Sequence, residues 1–172
     1  MNLNYIQAHE WKIVEEGFNK ENVTASESIF SIGNGAMGQR ANFEEHYSGE
    51  TFQGSYIGGI YYPDKTRVGW WKNGYPEYFA KVLNAPNWIG IDVRINGKTL
   101  DLNSCKVIDF SRELDMRNGV LTRSFIAEFE DGDLVKVNTS RFLSLDIQEV
   151  GAINYSVTPI NFQGEIEFSP YL

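Results

Sequence analysis

Three glycines in the stretch IFSIGNGAMGQR have the spacing found in loops that bind phosphate groups. Gly33, Gly35 and Gly38 form a G-x-G-x-x-G pattern directly after a short apolar run. In a dinucleotide-binding fold such glycines allow a tight turn, close approach of the backbone to a pyrophosphate and close packing of a following helix. The next residues, QRANFEEHYSG, have no apolar positions at helical spacing. The required crossover helix is absent from the pattern, so the sequence argues against nucleotide binding.

Two adjacent carboxylates, Glu44 and Glu45, belong to the residue type that glycoside hydrolysis uses in pairs. A catalytic pair must face one reacting centre. Neighbouring side chains point to opposite faces of a strand and do not coincide on a helix. We therefore expect a surface acid beside a structural one, in preference to an acid and a base that act on the same sugar.

Other residues that carry chemistry are few. The two histidines, His9 and His46, and the scattered acids show no spacing typical of metal ligands. Cys105 is the only cysteine, and a lone cysteine between elements is more typical of a small core residue than of a nucleophile. We predict no catalytic residue, no metal site and no bound cofactor in this chain.

Composition argues against several classes of partner. The formal charge of −8, from 23 acids and 15 bases, repels phosphate backbones, so we expect no nucleic acid partner. The first residues have neither a basic start nor an apolar stretch suited to export, and no later run approaches the length of a membrane span. With a single cysteine, which allows no internal disulfide, these features predict no membrane partner and a cytoplasmic location.

Alternation of apolar and polar residues predicts mostly β structure. In NWIGIDVRINGKTL, one face carries Ile89, Ile91, Val93 and Ile95 and leads into Asn96-Gly97, which suits the turn of a two-residue hairpin. A second hairpin is predicted on either side of EDGD. Further strands are predicted near residues 11–15, 153–157 and 166–168.

Two details of this pattern concern single segments. Arg123 interrupts the apolar face of the second hairpin, and we expect it at a sheet margin. The segment YPEYFAKVLN has apolar residues at helical spacing behind a proline, and it is the best helix candidate.

Hairpins with apolar inner faces require a second sheet to cover them. The predicted fold class is therefore mainly β, an antiparallel two-sheet β-sandwich with few short helices.

An aromatic tract, GSYIGGIYYPDKTRVGWWKNGYPEYF, is the strongest candidate for contact with a partner. Its aromatic rings could stack on sugars, but tyrosine and tryptophan are also enriched at protein interfaces, and we favour the interface. Core packing remains open for Tyr56 and Tyr61. The residues that we expect at an interface or close to a sugar are Tyr56, Tyr61, Tyr62, Trp70 and Trp71.

Several stretches together resemble one known family. They are ESIFSIGNGAMGQRANFEE, QGSYIGGIYY, NAPNW, RELDMRNGVLTRSF, SRFLSLD and INYSVTPINFQGEIEFSPYL. The strongest likeness lies in SIGNGAMGQR and the acids after it; its residues are Gly33, Asn34, Gly35, Gly38, Arg40, Glu44 and Glu45. The chain resembles the N-terminal domain of glycoside hydrolase family 65, the family of maltose, kojibiose and trehalose phosphorylases. Ala41 departs from the family, which commonly has glycine at that position.

The resemblance implies a β-sandwich of the super-sandwich type that precedes an (α/α)6-barrel. It implies inverting phosphorolysis of an α-linked glucoside, with inorganic phosphate as co-substrate and a glutamate of the barrel as acid. Neither the acid nor the phosphate site can be assigned to residues of this chain, which is too short, at 172 residues, to contain the barrel. Whether the parent enzyme carries out phosphorolysis or hydrolysis, and on which disaccharide, stays open.

The resemblance sets the remaining expectations. Residues 1–172 should form a single N-terminal domain cut from a longer enzyme, non-catalytic, packed on the barrel and supporting a homodimer. The alternative is a free-standing carbohydrate-binding module with a disaccharide as its ligand. Within the glycine-rich segment, we expect an ion pair between Arg40 and either Glu44 or Glu45.

Overall fold

A computed structural model, which describes residues 5–67 and 76–172, has the architecture of an antiparallel β-sandwich. The strands are β1 (Ile6–Ala8), β2 (Lys12–Glu16), β3 (Ile32–Gly33), β4 (Met37–Gln39), β5 (Ser55–Ile57), β6 (Tyr61–Lys65), β7 (Tyr78–Val82), β8 (Ile91–Ile95), β9 (Lys98–Thr99), β10 (Lys106–Asp115), β11 (Val120–Glu128), β12 (Leu134–Leu143), β13 (Gly151–Pro159) and β14 (Ile166–Pro170). A 3-10 turn, Lys20–Asn22, leads into α1, Val23–Ile29. The predicted fold class is confirmed.

One large sheet forms the base of the sandwich. Its order is β1-β2-β10-β11-β12-β13, and every neighbouring pair is antiparallel. Side chains of β11 and β12 alternate between buried and more accessible positions along their whole length, as expected when one face of a sheet is covered. The alternation therefore identifies which residues of β11 and β12 belong to the inner face of the sheet.

Smaller units cover the inner face at its two ends. The sheet β14-β8-β9 closes an apolar core with Val93, Ile95, Phe125 and Val137 among its buried residues. The sheet β3-β4-β5, with the end of α1, closes a second core. The buried residues of this second core are Phe30, Ile32, Ala41, Leu121 and Leu143. The region between the two cores is polar, and it positions the site described below.

The predicted hairpins are confirmed. Asn96 and Gly97 join β8 to β9 with φ values of 50° and 76°, the positive values that favour asparagine and glycine in such turns. The EDGD turn joins β11 to β12, and the strands predicted near residues 11–15, 153–157 and 166–168 are β2, β13 and β14.

The helix predicted for YPEYFAKVLN is wrong. Tyr78–Val82 is strand β7, paired antiparallel with β6. Its residues suit a strand as well as a helix, and pairing with the aromatic run of β6 overrides the local helical spacing. The true helix, α1, was not predicted because VTASESI buries Ser26 and Glu27, and so lacks an apolar stripe. At seven residues it is far too short to cross a bilayer, and no other helix in the described ranges could do so.

Candidate functional site

The segment Arg40–Glu45 crosses the interior between the two apolar cores without forming a strand. Residues 41–45 are all buried. A buried backbone outside regular structure needs partners for its polar groups, because an unpaired carbonyl costs about as much as a lost hydrogen bond. These partners are arginine side chains from the large sheet. Arg141 donates to the carbonyl oxygens of Asn42 (2.9 Å) and Arg40 (3.0 Å), and Arg112 donates to that of Ala41 (3.4 Å).

The three arginines come from three adjacent strands. Arg112 in β10 is the direct cross-strand neighbour of Arg123 in β11, and Arg141 lies on β12 at the next inward position beyond Thr139, the partner of Arg123. Like charges directly opposite one another destabilise a sheet. Opposite charges must therefore compensate for them in the interior.

Glu44 and Glu45 provide most of this compensation. Glu44 accepts from Arg123 (2.6 Å) with one carboxylate oxygen and from Arg141 (2.8 Å) with the other. Glu45 holds Arg123 through both of its oxygens, one at 2.6 Å, and also accepts from the hydroxyl of Tyr155 (3.1 Å). Arg123 thus joins two consecutive carboxylates in a buried network. Hydrogen bonds between charged groups, and bidentate pairs in particular, are the strongest hydrogen bonds in proteins.

The pKa directions agree with this arrangement. Burial by itself would raise the pKa of Glu44, but the charges of Arg141 and Arg123 outweigh it and lower the pKa below its ordinary value. Burial would lower the pKa of Arg123, but Glu45 and Glu44 raise it well above its ordinary value. Burial raises the pKa of Tyr155, and the nearby Glu45 raises it further. Both members of the Glu44–Arg123 pair therefore stay ionised at neutral pH.

The second part of the network is less well satisfied. Arg112 lies 3.4 Å from the Glu15 carboxylate, but the Nε of Arg112 and the Oε2 of Glu15 have no hydrogen-bond partner. We regard this contact as an ion pair without hydrogen-bond geometry. Burial lowers the pKa of Arg112 to about 10, opposed by Glu15, and burial raises the pKa of Glu15, opposed by Arg112 and Ser26. The ring centre of Phe43 lies 5.1 Å from the guanidinium carbon of Arg112 and 4.7 Å from that of Arg123, within the range of cation–π contacts.

Several expectations for these residues are wrong. Arg123 lies in the middle of the inner face, with 5% exposure, and not at a sheet margin. Glu44 and Glu45 are both buried, so neither is a surface acid. The predicted ion pair of Arg40 with these acids does not form, since Arg40 lies 3.7 Å from Glu27 and donates to the carbonyl oxygens of Thr24 and Phe52. The acids of the segment are already occupied by arginines of the sheet.

Arg112 and Arg141 belong to the network but were not identified from the sequence. A pattern in the sequence does indicate Arg141: in VKVNTSRFLS it occupies one of the alternate positions that point inward, and most of the others are apolar. A charged residue at a position where alternation predicts burial indicates a partner of opposite charge. β10 was not predicted at all, so the same reasoning could not be applied to Arg112.

The glycine-rich turn is hydrogen-bonded to a loop that is distant in sequence. The side-chain oxygen of Asn34 accepts from the amides of Ala36 (3.0 Å) and Met37 (2.7 Å), and its amide group donates to the carbonyl oxygens of Ser144 (2.7 Å) and Gln148 (3.0 Å). Gly35 has a φ of 90°, a conformation that favours glycine. The pattern therefore serves a tight turn between β3 and β4.

Gly33 and Gly38 flank that turn and face each other across the β3–β4 pair. Neither has a positive φ. A Cβ at Gly33 would lie 3.3 Å from the carbonyl oxygen of Met37, so this glycine allows a close approach between strands. A Cβ at Gly38 would make only ordinary contact, and the structure gives no reason for glycine there.

The described residues of the aromatic tract include an exposed antiparallel strand pair, which we call the β6–β7 hairpin. Within the described residues, β6 and β7 pair only with each other and belong to neither large layer. The exposed fractions are 36% for Tyr56, 52% for Tyr61 and 55% for Tyr62, so the core packing considered for Tyr56 and Tyr61 is wrong. Trp70 and Trp71 lie outside the described residues.

The described residues hold neither a reactive thiol nor a metal-ligand cluster. Cys105 packs against the large apolar core, and burial raises its thiol pKa to about 11, which opposes formation of a nucleophilic thiolate. Among residues 5–67 and 76–172 there is no group of three or more acids, histidines or cysteines placed to hold a metal ion. Nothing in the described geometry assigns a cofactor to this chain.

Comparison with known proteins identifies the fold's family. The sequence model of the N-terminal domain of glycosyl hydrolase family 65 matches residues 13–172. The chain belongs to glycosyl hydrolase family 65. It is 46% identical over 172 residues to a maltose phosphorylase of Bacillus subtilis (strain 168), which is 100% of this chain and 23% of that protein.

Other relatives agree on the family 65 assignment. A kojibiose phosphorylase of Halothermothrix orenii is 32% identical over 165 residues, 96% of this chain and 20% of its own length. The solved structure of a putative kojibiose phosphorylase from human microbiome superposes with a TM-score of 0.85 at 31% identity, over 95% of this chain and 22% of that one. The family 65 chain thus spans less than a quarter of each of these relatives.

Breaking the centre of the network should be costly. We expect Arg123→Met to lower the free energy of unfolding by about 3–5 kcal/mol, because it leaves two buried carboxylates short of a partner. Lys106→Met removes an exposed ion pair with Glu128 and should cost less than about 1 kcal/mol. Urea unfolding of both variants measures the difference, and equal losses would contradict the role of Arg123.

The loss of folding stability at acid pH should depend on Glu44. Its folded pKa lies below the ordinary value, so its contribution is present above that ordinary value and is lost as pH falls through the lowered folded pKa. The stability gap between the natural chain and Glu44→Gln should be widest near pH 7 and narrow below about pH 4. A gap that stays constant over this range, measured by urea unfolding, would contradict it.

Two variants of Asn34 separate the hydrogen bonds that its side chain accepts within the turn from those that it donates to the distant loop. Asn34→Ala loses four hydrogen bonds and should destabilise the fold by about 1–3 kcal/mol. Asn34→Asp keeps acceptors for the Ala36 and Met37 amides but cannot donate to Ser144 and Gln148. Hydrogen exchange should therefore show protected turn amides in the Asp variant and unprotected ones in the Ala variant. Equal protection in both variants would disprove this role.

Proposed function

We propose that this chain is the non-catalytic N-terminal domain of an inverting phosphorylase of α-linked glucose disaccharides. In this proposal residues 1–172 pack on a catalytic barrel elsewhere in the parent polypeptide and support a homodimer in the cytoplasm. Inorganic phosphate and the disaccharide are substrates of that barrel. The support is the family match, together with relatives that are more than four times as long as this chain and are named as phosphorylases.

The buried carboxylates support a non-catalytic role. A general acid for glycosidic cleavage needs a raised pKa and access to the leaving oxygen. Glu44 has a lowered pKa. Glu44 and Glu45 are 2% and 3% exposed, and arginine side chains enclose both carboxylates. Their chemistry is that of a structural ion pair.

The observation that carries the docking function is the β6–β7 hairpin. Directly paired residues share a face, and the register places Tyr61 with Val82, Pro63 with Ala80, and Tyr78 with Lys65. All six residues are exposed, and five of them are apolar or aromatic. Contiguous exposed apolar surface of this kind marks an interaction site.

The opposite face of the hairpin differs in character. It carries the ion pair of Lys81 with Asp64 at 3.2 Å, beside Tyr62. The hairpin therefore has one mostly apolar face and one mixed face, which gives it a preferred side for docking. A protein surface in the parent enzyme would cover the apolar face, and the same tyrosines could lie at the rim of its active site.

The test compares this chain with the natural full-length polypeptide that contains it. Replacing Tyr61, Tyr78 and Val82 by serine should leave the melting temperature of the 172-residue chain nearly unchanged, because the three side chains are 51–56% exposed. In the full-length polypeptide the same triple variant should lower the melting temperature or dissociate the dimer in sedimentation.

A matched control replaces exposed residues elsewhere, Met116→Ser with Leu145→Ser. These changes should leave both the chain and the full-length polypeptide unchanged. If the hairpin variant retained the full-length melting temperature and the sedimentation coefficient, the docking function would be wrong.

A further inference from the structure

The outer face of the large sheet carries a lattice of short polar side chains. Strand register aligns them in two rows across β10, β11, β12 and β13. One row is Ser111, Ser124, Asn138 and Ser156, and the next is Glu113, Thr122, Ser140 and Asn154. We call these eight residues the polar lattice. The neighbouring strands lie about 4.8 Å apart, so the lattice is about 14 Å wide.

The lattice differs from an ordinary solvated sheet face in its chemistry. Exposed faces usually carry long charged side chains, yet seven of these eight residues are neutral and short. The exception, Glu113, is paired with Lys12 at 2.7 Å. Within the described part of the chain, none of the seven neutral side chains makes a hydrogen bond to another protein group. Their donors and acceptors all remain available to a ligand.

The lattice lines a shallow hollow that is open to solvent. This hollow has a volume of about 480 Å³ and is lined by all eight residues, and its volume lies within the range of about 300–1,000 Å³ that small-molecule sites occupy. Apolar side chains flank it along the strands. Phe142 and Val120 form the next pair beyond Ser140 and Thr122.

These features favour one kind of occupant. Serine and threonine hydroxyls and asparagine amides both donate and accept hydrogen bonds, as sugar hydroxyls do, and the ring of Phe142 offers an apolar face at one end. An anionic ligand would meet a chain of net charge −8 and no unpaired cation in the lattice. We propose that the polar lattice is a binding site for a neutral oligosaccharide, separate from the β6–β7 hairpin and additional to the docking function.

The test is a titration of the isotope-labelled 172-residue chain with maltose and maltotriose, followed by amide NMR shifts. Sorbitol serves as a control for weak, general polyol effects. We expect saturable shifts at amides of β11, β12 and β13 around the lattice, with a Kd of about 1 mM. Ser124→Lys, which fills the hollow from an outward position, should weaken binding at least tenfold.

Matched variants keep the result interpretable. Thr158→Lys adds the same charge at an exposed position of the same sheet, outside the lattice, and should change the Kd less than twofold. Asn138→Ala with Asn154→Ala removes two amide groups without adding bulk, and it should also weaken binding at least tenfold. A natural-like amide spectrum for each variant shows that the fold is retained.

Three results would overturn the proposal. The first is the absence of saturable shifts at about 50 times a Kd of 1 mM. The second is shifts confined to Tyr61, Tyr62 and their neighbours, which would place the sugar on the hairpin. The third is binding that Ser124→Lys leaves unchanged. Because the titration uses only this chain, none of these results bears on docking to a catalytic barrel.

Discussion

The structure depends on one constraint, which is that three arginines of adjacent strands share the interior of the sandwich. Arg112, Arg123 and Arg141 would repel one another on the inner face, and each loses hydration when it is buried. They are retained because the irregular segment 40–45 presents carbonyl oxygens and the carboxylates of Glu44 and Glu45. The segment and the arginines satisfy each other, since neither could be buried without the other.

This network divides the interior into two apolar cores and connects the layers that enclose them. Along β11, Leu121 belongs to one core, Arg123 to the network, and Phe125 to the other core. Glu44 also receives the amide of Ile91 on its carbonyl oxygen, which links the segment to β8 of the second layer. Buried ion pairs are weak evidence for stability but can specify one arrangement of the chain. Here they fix where segment 40–45 crosses the sandwich.

The sequence predicted the elements whose hydrophobic pattern is local and regular. Alternation and the Asn96-Gly97 turn were sufficient for β8 and β9, and the family resemblance placed the glycine-rich turn correctly. β7 was wrongly predicted as a helix and α1 was missed, because pairing with β6 and the burial of Ser26 and Glu27 come from tertiary contacts. Arg40 was assigned to the wrong acids for the same reason, since the partners of Glu44 and Glu45 are 78 or more residues away in sequence.

The interior of this chain is structural, and we propose that the chemistry of the parent enzyme lies outside the chain. The most direct test is consumption of inorganic phosphate with maltose, kojibiose and trehalose, measured for the 172-residue chain and for the natural polypeptide that contains it. We expect no consumption of phosphate by the chain alone and disaccharide-dependent consumption by the natural polypeptide. Two results would contradict this claim. One is phosphate consumption by the chain alone, and the other is a natural polypeptide that has the same 19.6 kDa mass as this chain and consumes no phosphate.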